Sequence, residues 1–440
     1  MARISPFRGI VFHPEKIPDL SAVTTPPYDV ISPEEQEHFY AAHPCNIIRL
    51  VLGKKSEKDT AEENPHSRAA SFWKQWQADG FLKKDEKPAF YATAIAFGAG
   101  EPRITRYGLI AMVGLESFEK KVILPHEKTF SKVKTERLEL MKASYANFCP
   151  IFSLFPDPEN SILPCIRAAI TDREPDSEFR DTAGHDQKMW RITDEGSIRE
   201  LQARMKDKKL FIADGHHRYE TALNFRKWLQ DNDPDFSDTH PANYVMMYLA
   251  SMQDPGMVIL PAHRMLKEIA PAVMETFLSK AGKYFQIRSI TCSAEKDLQT
   301  FTAAMEAGED RHTIGLCMKN RQELFLLTLQ PGVMQKLFSE EIPDSLLNLD
   351  VTVLTRLIFM EILEFDQERL DNHNLISYAT EVKKAVEGVW KGDYDMSFIL
   401  NHTKIEQVRQ VAEEGLIMPR KSTYFYPKVI TGQVMNSLKS

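Results

Sequence analysis

The feature that most restricts the fold is an apolar run that ends abruptly on a charged glycine turn. Leu210-Phe211-Ile212-Ala213 is uninterrupted and has the length of a buried strand. It stops at Asp214-Gly215, and His216-His217-Arg218-Tyr219-Glu220 follows. Gly215 permits a tight turn or a close backbone approach. Residues from His217 to about Gln230 can form a helix. A strand, a glycine turn and a helix start bring free amides and the positive end of a helix dipole to one point, where anions bind. Arg218 adds a rigid fork of donors suited to phosphate. His216 and His217 can donate hydrogen bonds or move protons near neutral pH. Asp214 can hold Mg²⁺ or act as a base. Two other readings stay open. One is a plain Asp-Gly turn with surface histidines; the other is a metal site using Asp214 or Glu220, with His216 and Glu220 four apart on one helix face.

Strand and helix signals alternate along the 440 residues. Ser32-Pro33-Glu34-Glu35 starts a helix, with a hydroxyl cap, proline first and acids in the first turn. A second helix is expected from about Ser67 to Asp79. Strands are expected at Ala89–Phe97 and Tyr107–Leu115, with Gly98-Ala99-Gly100-Glu101-Pro102 as the loop between them, and a helix from Lys132 to Ala146. Asp157 to Gly184 reads as a surface connection with a short helix. Met189–Ile192, Gly196–Met205 and Lys209–Ala213 read as strand, helix and strand, an α/β spacing. Asn243–Ser251 and Met257–Leu260 read as a strand pair. A hairpin is expected from Thr313–Met318 and Glu323–Leu329, a more helical tail after Leu354, and a last strand at Ser422–Ile430. The expected fold class is mixed α/β (α+β). A soft prior of roughly 150 residues per domain suggests two or three domains; the regions expected from the signals are 1–155, 156–269, 270–345 (a small insertion) and 346–440.

The formal net charge is −7, from 55 Lys+Arg and 62 Asp+Glu. That balance counts against a nucleic-acid binder, which carries a basic surplus. No run of eighteen apolar residues is present, so no membrane span is expected. Met1 to Leu20 has no apolar stretch of signal-peptide type, and the five cysteines form no C-x-x-C pair. Reduced thiols and a cytoplasmic location are the expectation.

Other clusters carry chemistry. Leu124-Pro125-His126-Glu127-Lys128-Thr129 sets an acid, a base, a cation and a hydroxyl in a loop between a strand and a helix. Pro26-Pro27-Tyr28-Asp29 is a rigid turn that presents Tyr28 and Asp29. Arg420-Lys421-Ser422-Thr423, followed by Tyr424-Phe425-Tyr426-Pro427-Lys428, offers the lysines and hydroxyls that phosphate oxygens need. A solvated loop or an aromatic edge strand are the structural alternatives. Leu260-Pro261-Ala262-His263-Arg264 puts another His-Arg pair after a strand. Gly53-Lys54-Lys55-Ser56 lacks the upstream glycine of a P-loop, and Gly98-Ala99-Gly100 continues without a dinucleotide fingerprint.

Four of these motifs, in order, resemble the prokaryotic family catalogued as domain of unknown function 1015: Pro26-Pro27-Tyr28-Asp29-Val30-Ile31, Leu124-Pro125-His126-Glu127-Lys128-Thr129, Ala213-Asp214-Gly215-His216-His217-Arg218-Tyr219-Glu220-Thr221-Ala222 and Met418-Pro419-Arg420-Lys421-Ser422-Thr423-Tyr424-Phe425-Tyr426-Pro427-Lys428. The family pattern implies a histidine where this chain has Thr355. Asp-Gly-His-His-Arg is also similar to the phosphate-binding signature of the ParB/sulfiredoxin superfamily, which includes partition CTPases, sulfiredoxin and a kinase of free serine. That likeness implies a ParB/sulfiredoxin-like nucleotide-binding core in which Gly215, His216, His217 and Arg218 cradle phosphates.

The first expectation is a nucleotide-dependent phosphotransferase acting on a small hydroxylated metabolite, serine among the candidates, with Mg²⁺ and ATP or ADP as cofactors. Phosphoryl transfer needs positioning and positive charge more than covalent chemistry. Asp214, His217, Glu127 and Asp29 are the candidate catalytic residues. Gly215, His216, Arg218, Lys128, Thr129, Lys421, Ser422 and Thr423 are the candidate phosphate- or nucleotide-binding residues, and Asp214 and Glu220 the candidate metal ligands. The rivals are a metal-dependent small-molecule phosphatase and a non-enzymatic nucleotide-sensing or DNA-associated module. A nucleotide, a small-molecule substrate and a second copy of the chain are the expected partners.

Overall fold

The computed structural model describes residues 2–98, 103–129, 131–292, 295–372 and 374–439. Of the expected glycine loop, Ala99-Gly100-Glu101-Pro102 lies outside the described residues. The chain forms two compact units, Met1–Met257 with Pro427–Ser440, and Val258–Tyr426. It is a mixed α/β protein. No helix among the described residues is long and apolar enough to cross a membrane.

The first unit is built on a nine-stranded mixed sheet. Its order is Ile123–Leu124, Leu210–Asp214, Ile151–Phe155, Tyr244–Ser251, Ile104–Gly114, Phe90–Phe97, Asp186–Ile192 and Ser177–Arg180, with Ile4–Ser5 added along Ile104–Gly114. Leu210–Asp214 runs parallel to Ile123–Leu124, and Tyr244–Ser251 parallel to Ile151–Phe155; the other pairings are antiparallel. Ile151–Phe155 and residues 245–251 are buried throughout, as strands covered on both faces are. The helix His216–Asn232 lays Tyr219 and Ala222 into the same core as Ile212, Met247 and Leu249.

Local signals behave as their chemistry dictates. Ser32 and Glu35 form a capping box on Pro33–Ala42. Asn64 caps Pro65–Ala78, which begins two residues before the expected start. Ser131–Ser144 and Glu195–Met205 are helical. Three expectations are corrected. The connection 157–184 holds the helix Ile162–Ala168 but also the edge strand Ser177–Arg180, because Asp181 accepts from the amides of Ala183 and His185 and closes a hairpin. Tyr244–Ser251 and Val258–Leu260 do not pair: the first lies inside the nine-stranded sheet, and the second pairs with Tyr424–Tyr426. The Asp254 carboxylate between them takes the amides of Tyr107 and Gly256 at 3.0 and 2.7 Å, which fastens the turn to the sheet. The expected strand Ser422–Ile430 shrinks to Tyr424–Tyr426. Beyond it, Thr431 exchanges backbone hydrogen bonds with Thr25, and Met435 with Ile10.

The second unit carries a six-stranded antiparallel sheet, ordered Phe285–Thr291, Glu323–Leu329, Thr313–Met318, Met396–Ile399, His263–Leu266 and Ile376–Ala379. The expected hairpin is there, turning at Asn320 with φ +64°. The sheet takes strands from both sides of 269 and 345, just as the first sheet takes strands from both sides of 155. The tail after Leu354 is helical first, in a π-helical stretch Val353–Ile362, and then supplies two strands of this sheet.

Candidate functional site

The Leu210–Asp214 strand does not end regularly. Phe211 faces Leu154 and Ile212 faces Ser153, but it is Asp214 that faces Phe152, so Ala213 is a bulge. A bulge bends a strand end and re-aims the side chain after it. Gly215 follows with φ +98° and ψ +30°, as N-cap of the His216–Asn232 helix. A Cβ there would stand 2.8 Å from Arg218 Nε, so both backbone and space require glycine. No side chain caps this helix.

Asp214 is gripped from both sides. Its Oδ2 accepts from Arg218 Nη2 at 2.7 Å and its Oδ1 from Lys428 Nζ at 2.8 Å. The three side chains are only 12–14% exposed. Burial alone would raise the Asp214 carboxyl; Lys428 and Arg218 outweigh it and hold it well below the usual carboxylate range. Arg218 also donates to the Pro150 carbonyl and to Cys149 Sγ. Burial opposes its charge, yet Cys149, Asp214 and Asp29 together hold its pKa above normal. Thr431 Oγ1 donates to the same sulfur at 3.1 Å, and burial pushes the Cys149 thiol up. Tyr28 lies beneath the Arg137 guanidinium at 4.1 Å from ring centroid to Cζ, and burial raises its phenol to about 12.

The histidines are neutral at physiological pH. His216 is buried, and its Nε2 accepts the His126 amide at 3.3 Å, so its ring proton sits on Nδ1, 4.0 Å from Glu127 Oε2. The His126 ring meets it edge-on at 4.8 Å. Burial drives both pKa values down, that of His126 to about 4. His217 is half-buried, which lowers its pKa, while Glu220 and Asp29 pull the other way. Glu220 accepts from Thr129 Oγ1 at 2.7 Å and from Lys134 Nζ at 2.5 Å. Lys128 is exposed and has no ion-pair partner among the described residues.

The first unit thus brings Asp214, Gly215, His216, His217, Arg218, Glu127, Thr129 and Glu220 together, with the charge of Asp29 felt at His217 and Arg218. Lys421, Ser422 and Thr423 belong to the second unit. There Lys421 is exposed with φ +54°, Ser422 and Thr423 are buried, and the Ser422 carbonyl accepts from Thr403 Oγ1 at 2.6 Å. The residues present do not fit a protein-held Mg²⁺. Both oxygens of Asp214 face cations, both oxygens of Glu220 are taken by Thr129 and Lys134, and no group of three or more His, Cys, Asp or Glu among the described residues could hold a metal. Phosphate chemistry does fit a corner whose Cβ is excluded and whose two cations face one carboxylate. Sequence reasoning left out Lys428, His126 and Cys149 as site residues. Lys428 had one signal, a cation closing an aromatic stretch, and His126 another, as the base of the Leu124–Thr129 cluster; Cys149 had none.

Several solved structures align at low similarity. A mutant of free serine kinase in complex with AMP matches at 13% identity and TM-score 0.34, covering 72% of this chain and 87% of that one. A conserved hypothetical protein from Pyrococcus furiosus matches at 14% and 0.34, over 75% and 95%. C-terminally truncated SbnI from Staphylococcus aureus matches at 10% and 0.33, over 74% and 86%. No curated protein matches the chain. The family described as a protein of unknown function, DUF1015, matches residues 4–352, which include three of the four motifs and stop short of Thr355 and the Lys421 motif. The chain belongs to the DUF1015 family.

Proposed function

We propose that the Gly215 corner holds the phosphates of ATP or ADP and that the protein transfers a phosphoryl group to a small hydroxylated metabolite, with free serine the first acceptor to test. One observation carries the reading. Two buried cations, Arg218 and Lys428, converge on a single carboxylate at the uncapped start of a helix, which leaves positive charge where an anion can meet backbone amides. Asp214 is held ionised and acts as the brace that orients both cations. Its depressed basicity makes it a weak proton acceptor.

Glu127 is the better base. It is one-third exposed, and its Oε2 lies 4.0 Å from the protonated Nδ1 of neutral His216. In the step itself, the acceptor hydroxyl oxygen forms the new bond to the terminal phosphorus. The bond from that phosphorus to the bridging oxygen breaks, and the nucleotide leaves with the electron pair. The hydroxyl proton passes to Glu127. In this reading Lys128 and Thr129, on the loop that carries Glu127, meet the transferred group, and Asp29 with His217 orients the acceptor. No step here depends on a metal held by the protein.

The test is incubation with ATP or ADP and serine or a panel of small alcohols, followed by mass detection of the phosphate ester, for wild type and Lys428→Met. Ester formation that the variant loses supports the reading. Phosphate release with no acceptor present points to hydrolysis instead, and saturable nucleotide binding with no turnover to a sensing role. No binding of either nucleotide sinks all three.

A further inference from the structure

The second unit contains a polar cavity of about 240 Å³, lined by residues that include Arg264, His312, Asp350, Asn401, Lys404 and Ser422. Its charged groups other than Arg264 pair among themselves. Glu309 and Asp310 both take the Lys404 ammonium at 3.1 Å. Asp350 takes His312 Nδ1 at 2.7 Å, and its other oxygen lies 3.5 Å from Asn401 Nδ2. Arg264 is the exception. It is 3% exposed, and no carboxylate among the described residues reaches it.

Arg264 donates instead to three backbone carbonyls, those of Ala262, Arg420 at 3.1 Å and Lys421 at 3.0 Å. Two of the five guanidinium donors are left without a protein partner among the described residues. The Tyr378 ring, 5.6 Å away, adds only a weak attraction. Carbonyl dipoles soften a buried charge but do not cancel it, and an uncompensated one is costly. Burial accordingly pulls the Arg264 pKa down to about 10, the reverse of Arg218 beside its carboxylate. A chain that keeps such a group on the wall of a cavity has a use for an anion there.

We propose that this cavity binds a small organic oxyanion, a carboxylate or a phosphate ester, through the Arg264 fork. Asn401 and the His312–Asp350 pair stand on the same lining and meet the ligand's hydroxyl or amine groups. The volume lies just below the range of about 300–1,000 Å³ usual for drug-sized ligands, which suits a metabolite of a few heavy atoms. This explains why the Lys421 stretch presents its carbonyls inward: they position Arg264, while Ser422 lines the cavity. The site stands on residues of the second unit alone, so it survives or falls independently of the Asp214 corner.

The experiment is calorimetric titration of the full chain at low salt, in a Lys428→Met background so that the first unit's corner does not contribute. The probes are inorganic phosphate, glycerol 3-phosphate and glycerate. Arg264→Lys keeps the charge and removes the fork, and should weaken binding about tenfold or more. Asn348→Trp, at an exposed position on the cavity lining, fills the space without touching a buried charge and should weaken it at least as much. Tighter binding of glycerol 3-phosphate assigns the phosphate source, and tighter binding of glycerate the carboxylate. The proposal is overturned if no probe binds below about 10 mM, or if Asn348→Trp binds as well as its parent.

Discussion

Lys428→Met tests the Asp214 corner most directly. The ion pair spans 2.8 Å between side chains 14% and 13% exposed. At an effective dielectric of about 20 its gross attraction is about 6 kcal/mol. Methionine keeps the packing of the stem and removes the ammonium's own desolvation cost, while Arg218 stays on the other oxygen. The net loss should therefore fall at or below the ~3–5 kcal/mol that stranding a lone buried charge costs; we expect about 2–3 kcal/mol. The sign with pH follows from the carboxyl. Its folded pKa lies below the unfolded value, so the stabilisation is fully present above about pH 4 and is lost as pH falls through the folded value. The gap between the two proteins should be flat from about pH 5 to 8 and should narrow below about pH 4. Four of the five tryptophans, Trp73, Trp76, Trp190 and Trp228, lie in the first unit, so their fluorescence in a urea titration follows that unit. At a slope of about 2–3 kcal/mol per molar, the midpoint should drop by about 1 M at neutral pH. An unchanged midpoint, or a gap equally wide in acid, would refute a buried, ionised Asp214 held by two cations.

Three further outcomes are expected. Gly215→Ala should cost about 2–3 kcal/mol in the same titration, from the φ of +98° and the 2.8 Å approach to Arg218; a loss under about 0.5 kcal/mol would mean the turn relaxes freely. His126 has a folded pKa of about 4 against roughly 6.5 unfolded, so its stabilisation is complete above about pH 6.5 and shrinks by about 2 kcal/mol on going to pH 5. Its ring meets His216 and feels Lys428 and Asp214. His126→Gln should flatten that segment of the stability profile, with a residual slope from His216, and an unaltered slope would count against a neutral buried imidazole. Glu127→Gln should lower phosphoryl transfer by about a hundredfold or more with KM retained; wild-type turnover would remove Glu127 as the base.

The elements that carry the Asp214 corner are legible because their signals are local. An apolar run, a glycine that needs positive φ and a polar helix start all sit between Leu210 and Glu220, and Ser32 with Glu35 announces a helix on its own. The pairing of Tyr244–Ser251 is not legible in this way. A strand buried on both faces has no alternation to say which neighbour it takes, and what decided against the hairpin was Asp254 reaching Tyr107 across 147 positions. Ile151–Phe155 is buried at every position and apolar at all but Ser153, so periodicity does not separate it from a buried helix segment.

Short-range chemistry was enough to place charged groups behind a buried strand and to mark glycine as obligatory at the turn. Which charges meet was settled only by folding, because a carboxylate attracts any cation and nothing in the chain near Asp214 names Lys428, 214 positions away. The hydrogen bonds from Thr431 and Met435 to Thr25 and Ile10 tie the C-terminal segment of the first unit to its opening residues and deliver that lysine. The same holds for Arg264: its residue type was plain from the start, but the want of a carboxylate beside it is a property of three-dimensional neighbours.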